Sequence, residues 1–185
     1  IPTKLLSFSF GIKPQTSVGY LLENDDKSQT PAELNRFTGS GGLSNAFVSL
    51  GFELFKNWGF GVSSSYAFGN LNHYHTKILE GIELYTTVAS ESSVSGLDYN
   101  FSTVYQKTFG EKITMYTGIV FQPKASYTSQ NKQAISTINP NGNFGGDSEE
   151  IDLLSMGLKE TDIIIPKSMS FGLGFGEDKS CLLYT

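Results

Sequence analysis

Large apolar residues alternate with small ones from position 58 to position 69. The even positions carry aromatic or apolar side chains apart from Ser64, and the odd positions carry only glycine, serine or alanine. A period of two indicates a β-strand, because successive side chains point to opposite faces of a sheet. This stretch has no charge on either face. Such a pattern is typical of a strand in a membrane barrel, which has lipid on one side and a lumen on the other.

The same alternation recurs in five further stretches, and together they predict an all-β chain. None of their apolar-face positions carries a charge, and a lysine or arginine facing lipid at the bilayer midplane would cost about 2–4 kcal/mol. The stretches are 6–12, 45–54, 97–106, 114–121 and 168–176. The residues that we expect to face lipid are Phe8, Phe10, Val48, Leu50, Phe60, Val62, Phe101, Ile119, Phe171 and Leu173.

Tight turns are predicted at four short breaks in the alternation. Short turns gather at the periplasmic rim of an outer-membrane barrel, so we expect these breaks to line that rim. Three of them carry a lysine that could meet an acidic partner. The breaks lie at Pro14 and Gln15, at Lys56 and Asn57, between Gly110 and Lys112, and between Glu177 and Lys179.

Long polar stretches over 24–44, 70–95 and 129–165 are interpreted as external loops between hairpins. About eight strands result, each near the 9–11 residues that cross a membrane at a tilt. Acidic residues gather in these stretches, which we interpret as solvated surface. The alternative is a divalent-ion or partner-docking site, since clustered carboxylates suit hard cations. The acidic residues are Asp25, Asp26, Asp147, Glu149, Glu150, Asp152, Glu160 and Asp162.

Composition excludes several classes of protein. The 185-residue chain holds 18 acidic and 13 basic residues, a net charge of -5, which argues against nucleic acid as a partner. It has no run of about 18 apolar residues, so no transmembrane helix is predicted. Cys181 is the single cysteine, which excludes an internal disulfide and a cysteine-rich metal site.

No set of residues in the sequence predicts catalysis or a cofactor. His73 and His75 share one strand face, but two ligands fall short of the three or four that zinc uses. The glycines of 172–176 lie on one face of a predicted strand, and no helix follows them as a nucleotide-binding loop requires. We therefore expect that the protein is not an enzyme and that it binds neither a metal nor a cofactor. The alternative is an outer-membrane hydrolase whose serine and histidine lie on different strands.

Several motifs resemble the FadL-like outer-membrane barrels of Bacteroidota. The sequence reads VGY over 18–20, GSGGL over 39–43 and GVSSSYAFG over 61–69. LKETDIIIP over 158–166 then leads into SMSFGLG over 168–174. The resemblance spans most of the chain, and the details are most similar to a flavobacterial branch called Plug.

This resemblance implies a barrel of about fourteen strands closed around an N-terminal hatch, in the bacterial outer membrane. Members carry fatty acids or other hydrophobic molecules, whereas the Plug branch occludes the periplasmic opening of the type IX protein translocon. The chain lacks a hatch segment and a terminal aromatic residue. We therefore expect residues 1–185 to form one domain, an antiparallel transmembrane β-barrel that is an incomplete, about eight-strand portion of a larger barrel. Its first and last strands should not pair with each other.

Three functions remain open at this stage. The first is an accessory or plug subunit of a type IX translocon, with outer-membrane lipid and a large channel protein as partners. The second is a passive transporter of long-chain fatty acids or other small hydrophobic molecules. The third is a small, complete eight-stranded barrel with a structural or adhesive role, which the length permits.

Overall fold

The computed structural model describes residues 6–28, 30–110, 113–139, 144–177 and 180–182. Within these ranges the chain forms ten strands and no helix. The strands join into one antiparallel sheet that curls into a half-barrel. The predicted all-β class and the incomplete barrel are thus confirmed.

The first four strands are the longest. They are β1 (Leu6–Asp26), β2 (Glu33–Phe55), β3 (Trp58–Leu79) and β4 (Tyr85–Phe109). The remaining strands are β5 (Ile113–Gln122), β6 (Ala125–Ile138), β7 (Phe144–Glu150), β8 (Glu160–Ile165), β9 (Ser168–Glu177) and β10 (Ser180–Leu182).

Five of the shorter strands occupy only two positions in the sheet, because two or three of them lie end to end at each position. β1 to β4 form a simple meander. We call the half of the sheet that contains the β2–β3 turn the lower half and the opposite half the upper half. β4 pairs with β5 along its lower half and with β6 along its upper half. Beyond them, β9 pairs with β5, and β8 and β7 pair with β6. β10 begins the next position against β9. Among the described residues β1 pairs only with β2, so it is not joined to the last strand.

The turn predicted at Pro14 and Gln15 is wrong. β1 runs through both residues for 21 residues without a break. The register slips between Pro14 and Thr16, where an extra residue forms a β-bulge. Proline cannot donate to a ladder, and it is therefore tolerated at bulges and on strands with one unpaired side.

The three long external loops are also wrong over most of their length. β2, β3 and β4 contain 23, 22 and 25 residues, about twice what a membrane crossing needs. The polar stretches are the upper halves of these strands. A loop does interrupt the third stretch, between β7 and β8, over residues 151–159.

Register divides the sheet into two faces, because directly opposed residues of an antiparallel pair project to the same side. Asn45, Ala67, Gly96 and Tyr127 form one row across β2, β3, β4 and β6, and they define the inner face. Most of the buried residues lie on this face. It is therefore the concave side of the curled sheet, where side chains converge.

The structure confirms the position of the predicted tight turn between β2 and β3. Lys56 and Asn57 form it, with Asn57 in the left-handed region at a φ of 70°. Gly110, at a φ of 63°, follows β4 where the next turn was predicted. Glu177 ends β9. Lys112 and Lys179 lie outside the described residues.

Candidate functional site

The outer face carries a continuous apolar band in the lower half of the sheet. One row across it reads Phe8, Leu50, Val62, Phe101 and Phe121. All ten residues predicted to face lipid lie on this outer face, eight of them exposed and Phe60 and Ile119 half-buried. That they contact lipid stays a prediction.

The height of the band matches the hydrocarbon layer of an outer membrane. On β3 the outer face is apolar or aromatic from Trp58 to Phe68, with Ser64 as the exception, and it becomes polar at Asn70 and Asn72. These roughly ten residue steps span about 34 Å along an antiparallel strand. At a tilt near 45° they rise about 24 Å, close to the band of about 25 Å in outer-membrane barrels. The upper halves of the strands therefore stand above the band.

The β-ladder is interrupted at one point, at the same height as the apolar band. Pairing of β5 with β9 ends at Gln122 and Ser168, and pairing of β6 with β8 resumes at Ala125 and Ile165. The two residues between on each side, a proline followed by a lysine, have no ladder partner across this gap. The barrel wall is locally weakened at this point.

The inner face of the lower half is lined by small residues. Ser7, Gly51, Gly61 and Ser102 form one row there. They border a hollow of about 480 Å³. Its lining combines hydroxyl and backbone groups and a single carboxylate, Glu53, with apolar side chains that include Val104 and Val120.

A buried polar pair lies above this hollow. The Tyr127 hydroxyl donates to Asp98 Oδ2 at 2.6 Å, and the amide of Asn100 donates to Asp98 Oδ1 at 3.3 Å. The Tyr127 ring crosses Gly96, where any β-carbon would collide with it. Ala67 and Val94 complete a small apolar cluster around the ring. The pair links β4 to β6 across the inner face.

The two histidines singled out in the sequence do share the inner face, above the level of the apolar band. His73 Nδ1 lies 3.0 Å from the Tyr20 hydroxyl. His75 stacks on Phe37 at 4.4 Å between ring centroids, and its Nε2 lies 2.8 Å from Asn35 Oδ1. Each imidazole thus has a polar side-chain partner, that of His75 on the adjacent strand β2 and that of His73 on β1, one strand further away.

A short ion-pair network continues from His75 to the upper end of β2. The Asn35 amide donates to Glu33 Oε1 at 2.8 Å, and Lys77 Nζ lies 2.6 Å from Glu33 Oε2. The hydrogen bond from Lys77, with a second from Asn35, holds the pKa of Glu33 below its ordinary value. The network ties β2 to β3 near the rim.

No metal site or membrane-spanning helix emerges in the part of the chain that the structure describes. There, no three histidine, cysteine, aspartate or glutamate side chains lie close enough together to hold a metal ion. Likewise, none of its segments is a helix long and apolar enough to cross a membrane.

Comparison with known families assigns the chain. The family model described as BamG matches residues 1–184. The chain belongs to the BamG family. No curated protein and no solved structure matched the chain. BamG membership links it to the outer-membrane β-barrel machinery, and membership and the barrel-like fold together fit the outer membrane or its vicinity. The resemblance to FadL-like barrels and to the Plug branch is supported only in this coarser form.

Sequence reasoning missed the residues that organise the inner face of this BamG-family half-barrel. Asp98, Tyr127 and Asn131 received no role, although Asp98 carried a usable signal. It is an isolated carboxylate on the small-residue side of an alternating strand, where a buried charge requires a partner. Asn131 carried no comparable signal, because its amide donates to Leu158 and Thr161, which lie far along the chain.

Proposed function

We propose that this chain is a non-catalytic accessory barrel subunit that docks onto a large outer-membrane channel protein. The BamG match over residues 1–184 carries the proposal. A subunit of this kind needs a stable wall in the membrane and an exposed surface for its partner. The apolar outer band and the upper strand halves that stand above it suit those two needs.

The specific form of this role is a plug or accessory subunit in protein secretion of type IX. The resemblance described above supports that form, and the turn at Lys56 and Asn57 supplies a cationic element on the expected periplasmic rim. A stable contact with the partner should bury about 1,200–2,000 Å² in total. The polar, small-residue inner face suits occlusion of an opening better than passage of hydrophobic molecules.

A transporter of fatty acids or similar molecules is the second candidate function. The ladder gap at Pro123 and Lys124, opposite Pro166 and Lys167, favours it. A lateral exit for an apolar substrate requires a weak point of this kind in the wall. Above the gap, pairing resumes between β6 and β8.

Purification of the full-length protein from its native outer membrane, in mild detergent, tests the two functions. The accessory role predicts stoichiometric recovery of a large β-barrel channel protein at a salt concentration that removes loosely bound proteins. Recovery of the chain alone, with fatty acid bound in the barrel, would contradict that role and favour the transporter. Quantitative proteomics together with lipid extraction from the same sample measures both outcomes.

A further inference from the structure

Residues 151–159 form a compact loop that leaves the sheet between β7 and β8 and returns at almost the same place. The backbone N–H of Ile151 donates to the Gln133 carbonyl at 2.8 Å, and the N–H of Asn131 donates to the Lys159 carbonyl at 2.8 Å. Both ends of the loop are therefore anchored two residues apart on β6. We call these nine residues the 151–159 knob.

Local hydrogen bonds hold the knob in one shape. Asp152 Oδ1 accepts from the N–H groups of Leu154 and Ser155 at 3.1 and 3.3 Å. The N–H of Leu158 donates to the Leu153 carbonyl at 2.9 Å, and Gly157 adopts a φ of 68°, which favours glycine. These bonds close the loop on itself.

Asn131 fastens the knob to the sheet with its side chain. Asn131 Nδ2 donates to the Leu158 carbonyl at 3.0 Å and to Thr161 Oγ1 at 3.0 Å. Its Oδ1 accepts from the hydroxyls of Ser92 and Ser129, both at 2.8 Å. All four hydrogen-bonding positions of the amide are used, so the side chain is held firmly.

The knob nevertheless exposes large apolar side chains. Leu154, Met156 and Leu158 are 69%, 62% and 50% exposed, whereas Leu153 is buried beneath them. Surface loops rarely combine a fixed shape with three neighbouring exposed apolar residues. A rigid apolar group of this kind needs little further ordering when it enters a partner's pocket.

Charge around the knob indicates the chemistry of the occupant. Five exposed carboxylates lie within the knob or within three residues of its ends, against one exposed lysine in the knob and one beside it on β6. An apolar centre within a charged rim is the usual anatomy of a protein–protein contact. The acidic rim selects a basic counterpart and disfavours an anionic lipid surface, which attracts basic segments. The carboxylates are Glu149, Glu150, Asp152, Glu160 and Asp162, and the lysines are Lys132 and Lys159.

We infer that the 151–159 knob is a preformed docking element for a protein partner that offers an apolar pocket rimmed by lysine or arginine. The inference rests on the proposed docking role and adds the surface and the partner's chemistry to it. Three side chains are too small for a whole interface, so the knob acts as the anchor of a larger contact.

Photo-crosslinking in the full-length protein tests the occupant. A photoreactive amino acid replaces Met156, and the adduct is mapped by mass spectrometry in native outer membranes. The inference predicts an adduct to a protein, at an apolar pocket with flanking lysine or arginine residues. An adduct to lipid only, an adduct to a second copy of this chain only, or no adduct would overturn it.

Binding to the crosslinked partner provides the matched comparison. The double variant Leu154→Ser with Met156→Ser should weaken affinity at least tenfold, as loss of buried anchor residues does. Glu149→Lys with Glu150→Lys should weaken it and reduce its salt dependence. The control is Ile82→Ser with Leu84→Ser, an exposed apolar pair (47% and 49%) between β3 and β4, which should change affinity less than twofold.

The results separate this inference from the proposed function. If the chain co-purifies with a channel protein but the knob variants bind it as well as the unmodified chain does, the inference fails and the accessory role stands. If no channel protein co-purifies, while the adduct at position 156 maps to a basic-rimmed pocket of another protein, the accessory role fails and the knob's chemistry stands.

Discussion

The Tyr127 hydroxyl donates a 2.6 Å hydrogen bond to the Asp98 carboxylate, and the two residues are only 1% and 3% exposed. A carboxylate buried to this degree depends on the donors around it, because an unpaired buried charge is strongly unfavourable. Asp98 has Tyr127 and Asn100 as side-chain donors. The pair joins strands that are adjacent only in the upper half of the sheet.

Tyr127→Phe should therefore lower the free energy of unfolding by about 1.5–3 kcal/mol, the range for hydrogen bonds to charged groups. Urea unfolding of the refolded barrel in detergent measures this change. The control is Tyr116→Phe, since Tyr116 is exposed on the same face. When Tyr127→Phe is added to a chain that already carries Asp98→Asn, it should lower the free energy of unfolding much less. Equal effects of Tyr127→Phe in both backgrounds would contradict the proposed coupling.

Gly96→Ala should destabilise the same region through a steric clash. A β-carbon at Gly96 would collide with the Tyr127 ring and approach Tyr127 Cα at 2.8 Å, and overpacking of this kind costs about 1–3 kcal/mol. At Gly172 a β-carbon meets nothing within 4 Å, so Gly172→Ala should have little effect. Thermal unfolding followed by circular dichroism compares the two variants, and a larger loss at Gly172 would be inconsistent with this geometry.

Adjacent positions on β3 provide a test of which face meets lipid. Val62 lies on the outer face within the apolar band, and Gly61 lies on the inner face. Val62→Arg should cost about 2–4 kcal/mol in a bilayer. Gly61→Arg should cost less, because the new cation is hydrated once the nearby Ser102 hydroxyl rotates away. Refolding into lipid vesicles measures both, and equal losses would count against the assigned faces.

The Glu33–Lys77 pair predicts a pH-dependent contribution at the upper end of β2. The pKa of Glu33 is lowered in the folded chain, so this contribution is present above the ordinary value and is lost as the pH falls through the lowered one. Lys77→Met should move the Glu33 pKa up, toward its ordinary value of 4.5. Carbon-13 NMR titration of the Glu33 carboxyl follows the change. Lys27→Met, which removes a cation paired with Asp25 instead, should leave it unaltered.

The misinterpreted stretches have a common physical cause. Above the apolar band, both faces of a strand meet polar surroundings, and hydrophobic alternation no longer marks it. Asn70 and Asn72 continue β3 only because their backbone groups pair with β2 and β4. A sequence window around them contains no information about those partners. Polar composition alone therefore predicts loops in these stretches.

Pro14 illustrates the same limit at the level of one residue. A proline followed by glutamine suggests a turn when neighbours are unknown. In the folded sheet β1 has one unpaired side among the described residues, and a bulge absorbs the extra residue. The missing N–H of Pro14 is then tolerated, and the strand continues. Only the pairing partner distinguishes a turn from a bulge.

Alternation by itself determined the all-β class and which side chains share a face from 58 to 69, because the direction of a side chain in a strand depends only on local backbone geometry. The tight turn at Lys56 and Asn57 was likewise readable, since left-handed backbone favours asparagine locally. Tertiary structure alone decided that Asp98 meets Tyr127, that Asn131 fastens the 151–159 knob, and that five of the strands occupy two positions in the sheet. These relationships depend on register and curvature, which arise only when strands distant in sequence pair with one another.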